Sequence, residues 1–177
     1  MTVVRSLRLD EDVDGALRKI SEEGESVNVI ANRTLRKFVE WDRPAEKIGM
    51  VQVSRQVLVK LMDAQNLDEA KSLGAWVGIE VMEPFVQYLH TSLSLETLLS
   101  SLELLSRYSG RFTFDHQVTG AEHMIFIRHH MGIKWSSFYD GAVTSVLKDL
   151  LHIDCESDLT DEFCSFKFRL DAGERSE

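Results

Sequence analysis

Residues 3–12 read VVRSLRLDED, and the fold turns on what this segment pairs with. Leu7 and Leu9 alternate with Ser6 and Arg8, the two-residue period of a half-buried strand. A helical pattern follows at once. Asp10 or Asp12 can cap a helix that places Val13, Ala16, Leu17 and Ile20 on one face. Gly24 breaks that helix, and Ser26 is a good cap for a second one, with Ile30, Ala31, Leu35, Phe38 and Val39 on its apolar side. Two such short helices cannot enclose a core. Segments below roughly 40 residues usually need disulfides, a metal or oligomerisation. The only cysteines, Cys155 and Cys164, lie far away in the chain. The strand is therefore expected to pair with the same strand of a second chain, antiparallel about a two-fold axis.

The segment RSLRLDEDVDGALRKISEEGESVNVIANRTLRKFVEW resembles the ribbon-helix-helix family of DNA-binding proteins, the Arc, CopG and MetJ type. Its most specific part is SVNVIANRTLRKFV, a capping Ser followed by apolar residues four, nine, twelve and thirteen positions on. The resemblance implies an intertwined homodimer whose outward strand face enters the DNA major groove. It assigns base contacts to Val4, Ser6 and Arg8; Arg can bind guanine O6 and N7 in bidentate fashion, and Ser suits several base edges. It assigns phosphate contacts to Arg5 and to the free backbone N–H groups of Ser26, Val27 and Asn28 at a helix N-terminus. Val4 departs from the polar residue usual in that family. Two-fold placement implies a palindromic operator in double-stranded DNA.

Charge limits how such binding could work. The 177-residue chain carries a net charge of −9, with 44% hydrophobic and 28% charged residues, the make-up of a soluble globular protein. Residues 1–44 hold 8 Lys/Arg against 9 Asp/Glu, and residues 45–177 hold 12 against 20. DNA contact must then be local, since no general basic coat exists. Asp10, Glu11, Asp12, Glu22, Glu23 and Glu25 would repel phosphates they faced. This favours an alternative in which the module only dimerises and the protein is an antitoxin-like interaction factor. No apolar run spans a membrane, no leader is evident, and two cysteines suit a reducing cytoplasm. A Gly-rich phosphate loop, a CxxC pair, HExxH and any Ser/His/Asp grouping are all missing, so neither an enzyme nor a cofactor is expected.

Three parts are expected: 1–43 for DNA binding and dimerisation, 48–170 for sensing or assembly, and 171–177 as a flexible tail. Pro44 opens a break between the first two. The larger part begins with a short strand at Val51–Val53 and a helix capped by Ser54. A long helix, bent at Pro84, covers 67–90. Ser94 caps the next helix, which carries Leu95, Leu98, Leu99, Leu102 and Leu105 on one face and stops at Gly110. RFTFDHQV and HMIFIRHH flank TGAE as a hairpin. A helix with apolar positions from 135 to 150 follows, then the strand FCSFKFRL. The order is helices followed by β-β-α-β, an α+β unit.

From RFTF through FYDGAVTSVLKDLLHIDCESDLTDEFCSFKF, this part resembles the four-vinyl-reductase type of small-molecule sensor domain. The resemblance implies a pocket for a small apolar or aromatic effector that biases the attached DNA-binding module. Its departure is the Cys-rich tail of that family, reduced here to Cys155 and Cys164. The stretch HHMGIKWSSFYDG suggests His129, Trp135 and Tyr139 as a candidate ligand pocket; otherwise Trp135 and Phe138 are core or interface anchors. With TGAE as the loop, Val118 faces His123 and His116 faces Ile125. His116 and His123 are then close enough to share an ion. His129 lies roughly 13 Å along at about 3.3 Å per residue, and His130 points to the other face. A third ligand would have to come from another chain, so no metal is expected. The resulting expectation is a dimeric, sequence-specific transcriptional regulator with a C-terminal ligand-sensing or assembly domain.

Overall fold

The computed structural model describes residues 6–21 and 24–170. They divide into two compact units at Lys47–Ile48. The expected contacts Val4 and Arg5 and the expected tail 171–177 lie outside the described residues.

In the first unit, α1 (Glu11–Ser21) and α2 (Val27–Lys37) form where their caps and apolar spacing place them. Ser26 takes an extended conformation and its hydroxyl accepts the Val29 N–H at 3.4 Å. The helix then runs through one widened turn, Phe38–Asp42, into α3 (Arg43–Lys47). Pro44 is therefore no break; it sits inside a continuous helical run directly after the widened turn, the kind of local irregularity that goes with a proline in a helix. Ser6–Asp10 form no strand within the single chain. A lone strand has no ladder to join, and a ribbon there would need a second molecule. Only Ile30 and Trp41 are buried among the described residues of this unit. Leu7, Leu9, Val13, Ile20, Val29, Leu35, Phe38 and Val39 are all exposed on the single chain.

The second unit is α+β. After α4 (Arg55–Asp63) come α5 (Leu67–Val77), a widened turn at Gly78–Met82 and α6 (Glu83–His90), then α7 (Leu95–Ser109). Ser54, Asn66 and Ser94 cap α4, α5 and α7 through side-chain oxygens, and Gly110 closes α7 in the left-handed conformation. Val51–Val53 form no strand. The sheet contains β1 (Thr113–Thr119), β2 (Glu122–Arg128), β3 (Cys155–Leu159) and β4 (Phe163–Arg169), antiparallel throughout in the order β1-β2-β4-β3. The unit is thus β-β-α-β-β, and the expected β-β-α-β pattern lacks one strand. β3 is an edge strand with exposed Glu156, Ser157 and Asp158; its polar face hides the period that a half-buried strand would display.

Between the hairpins runs α8 (Ile133–Ser145), followed by a widened turn at Val146–Leu150. One side of α8 lies towards the sheet, whose Ile125, Ile127, Cys164 and Phe166 are fully buried. Its other side meets α5 almost backbone to backbone. A Cβ on Gly74 would collide with the Phe138 carbonyl, and one on Gly141 with the Lys71 carbonyl. Side chains lock the same pair: Ser137 donates to the Leu67 carbonyl at 2.8 Å, and Lys71 pairs with the buried Asp140 at 2.7 Å. Asp140 in turn accepts from Thr144.

Candidate functional site

The first turns of α8 gather aromatic rings around Tyr139. Its centroid lies 5.4 Å from Phe112, 5.3 Å from His129 and 5.8 Å from Trp135. All three expected pocket residues therefore meet. They do not play equal parts.

His129 is committed to holding the chain. Its Nδ1 accepts the Met131 N–H at 3.1 Å, so the hydrogen of a neutral ring sits on Nε2 and points to Ser136 Oγ at 2.9 Å. Ser136 passes its own hydrogen to the Thr160 carbonyl. The imidazole thus ties the end of β2, the start of α8 and the β3–β4 turn together. Burial, reinforced by the His130 charge, pushes its pKa down to about 4. A ring with both nitrogens engaged has no valence left for a ligand.

Tyr139 differs. It is 5% exposed, and its hydroxyl has no hydrogen-bond partner within the protein. Burial pushes its phenol upward, while the Arg111 charge pulls the other way. The indole Nε1 of Trp135 is also buried without a protein partner. Unmet donors of this kind are uncommon and costly inside proteins. Beside Tyr139 lies a cavity of about 70 Å³. Leu98, Leu102 and Leu105 of α7 form one wall, and Val77, Met82, Arg111, Ile127 and Val143 are among the residues that line the rest. Among the described residues no side chain or carbonyl pairs with the Arg111 guanidinium. The expected trio contributes only Tyr139 to this lining.

Sequence reasoning did not reach Arg111, Met82 or the leucine wall. The leucines announced a helix face without saying what it faced. Arg111 directly follows the Gly110 helix stop and precedes the buried Phe112, a placement that puts a cation beside apolar surface; in one dimension it reads as an ordinary surface charge.

The hairpin register agrees with the reading of TGAE as its loop: Val118 pairs with His123 and His116 with Ile125. His116 Nε2 lies 3.0 Å from His123 Nδ1, a hydrogen bond that needs at least one neutral ring, and His123 stacks on Phe168. Burial, then the His123 charge, lowers the His116 pKa. His130 sits 3.9 Å from Glu162 on the exposed surface. Among the described residues no three His, Cys, Asp or Glu side chains converge on a common point. Cys164 is packed in β4, where burial pushes its thiol up.

Of the residues expected to touch DNA, Ser6 and Arg8 are exposed in a segment without regular secondary structure. Ser26 and Asn28 are exposed and Val27 half-buried at the α2 N-terminus. Glu25 stands next to that end, paired to Arg33 at 2.7 Å. The pairing draws one acidic charge away from the helix end without removing it. Among the described residues no helix is long and apolar enough to cross a membrane. Compared with known proteins, the chain matches no family model, no curated protein and no solved structure.

Proposed function

We propose that the protein is a homodimeric, sequence-specific DNA-binding regulator, with its N-terminal unit as the reader and its C-terminal unit as a small-molecule sensor. The observation that carries this reading is the apolar surface of residues 6–47. Eight large apolar side chains there are exposed on one chain, against two buried. Single exposed leucines are ordinary; a set this dense in so short a segment is an unfinished core. The occupant is a second copy. The segment carries the alternation of a strand with no partner in its own chain, and identical strands satisfy each other about a two-fold axis. The paired ribbon would present Ser6 and Arg8 twice, and the capped N-terminus of α2 suits a phosphate oxygen.

The acidic residues favour a second reading. Glu11, Asp12 and Asp14 fill the first turn of α1, and Glu25 flanks α2. An antitoxin-like factor would use the dimer as a scaffold and bind a protein through its acidic surface. Selection from random DNA at a stated salt concentration separates the two. The regulator should enrich an inverted repeat, and Arg8→Ala should abolish the specific shift while leaving the dimer intact. Lack of enrichment at low salt sinks the DNA reading.

A further inference from the structure

We propose that the cavity beside Tyr139 is a receptor for a small amphipathic monocarboxylate, with the acid group held by Arg111 and the Tyr139 hydroxyl and the apolar tail against the α7 leucines. This deepens the sensor half of the reading above and rests on it.

The polarity of the lining selects the head group. A guanidinium can only donate hydrogen bonds, and no protein group pairs with that of Arg111 among the described residues. The Tyr139 hydroxyl has nothing in the protein to donate to. Two unmet donors beside one cavity call for an acceptor, and the fixed positive charge makes an anionic acceptor better than a neutral one. A cationic ligand would meet Arg111 head-on. Arg111 and Tyr139 both line this one small cavity, so a single small group there can meet both donors.

The remaining walls select the tail. Leu98, Leu102, Leu105, Ile127 and Val143 offer no polar atom from their side chains. Arg111 is half-buried, whereas the leucines of α7 that line the cavity are buried. A carboxylate at Arg111 would keep part of its hydration while the tail leaves water, which avoids the large cost of burying a bare charge. Size restricts the class further. The cavity, at about 70 Å³, is smaller than the roughly 150 Å³ that admits benzene in a dry engineered cavity. The ligand must be short, and the walls must yield to it. Met82 is the lining residue suited to yielding, being unbranched with several rotatable bonds.

Titration calorimetry and thermal melting of the full chain with the short acids butyrate and pentanoate, against the neutral butyramide and pentanol, test the assignment. Both acids should bind and raise the melting temperature, and the neutral analogues should bind at least tenfold more weakly. Arg111→Gln should erase that preference and Arg111→Lys should retain it. Tyr139→Phe should weaken both acids at least fivefold while the unliganded protein melts no lower than wild type. Absence of both heat and melting shift at millimolar acid would mean that the cavity holds water only, and the proposal fails. Equal binding of acid and neutral analogue, or an unchanged Arg111→Gln, overturns it as well. Acid binding by a protein that enriches no operator removes the regulator reading and leaves this one standing; an operator with no acid binding does the reverse.

Discussion

His129 is neutral in the fold because each of its ring nitrogens already has a use, one accepting from Met131 and the other donating to Ser136. That arrangement has a pH signature. The unfolded chain takes up a proton at this ring near the ordinary value of 6.5, the folded chain only near 4. Between those values protons favour the unfolded state. The contribution is whole above about 6.5, fades as the pH falls, and is gone by about 4; its full size is on the order of 3 kcal/mol. Urea midpoints of the wild type should fall across this window, and His129→Gln should start lower at neutral pH and vary less with pH. A wild-type midpoint that stays level from 6.5 to 4 would show that the ring does not behave this way.

Tyr139 makes the opposite kind of statement. A buried hydroxyl without a protein partner costs the fold about 1–3 kcal/mol. Tyr139→Phe removes the oxygen and keeps the ring that packs on Phe112 and Phe138. Differential scanning calorimetry without added ligand should show a melting temperature several degrees above wild type, about 1 kcal/mol. A group that lowers stability where it stands is one whose benefit lies in what it binds.

At the scale of elements, legibility followed local signals. Ser94, five regularly spaced leucines and Gly110 specify α7 from end to end, because capping and amphipathic spacing are written in adjacent residues. The β1–β2 register was likewise readable from the turn and the two alternating runs. β3 was not. CESDL pairs on one side only and turns its middle residues to solvent, so no apolar rhythm marks it. The widened turns after α2, α5 and α8 also leave no local trace, and they carry the chain through Pro44 and up to Pro84 where a break or a bend was expected. The meeting of α5 with α8 depends on residues some 70 positions apart. Gly74 and Gly141 look like weak points of their helices until the partner backbone is in place. Gly74→Ala or Gly141→Ala should each destabilise the unit by about 3 kcal/mol, the upper end for overpacking, because a carbonyl cannot step aside as a side-chain tip can. Urea titration followed by circular dichroism measures this, and a loss below half that size would mean the helices can part cheaply.

For the whole molecule, the weight falls on the first 47 residues. If a second copy completes their core, association and folding of that unit are one equilibrium, and its helix content should fall on dilution while the second unit holds. Phe38→Asp places a charge where an apolar contact is expected. It should yield a monomer by sedimentation equilibrium, with a loss of about 2 kcal/mol of burial per chain. A dimer that survives the change would locate its contacts elsewhere. The cavity residues were hidden from the sequence for a related reason. Val77, Leu102, Arg111 and Tyr139 come from four separate stretches, and no single stretch announces an enclosed space.

The bare meeting of α5 and α8 has a mechanical consequence. Where carbonyls rest against glycines there is no layer of bendable side chains to absorb a displacement, so the two rods act as a single stiff lever. Tyr139 is mounted on one of them. Any guest that pushes on that ring must therefore shift both rods at once or fail to enter.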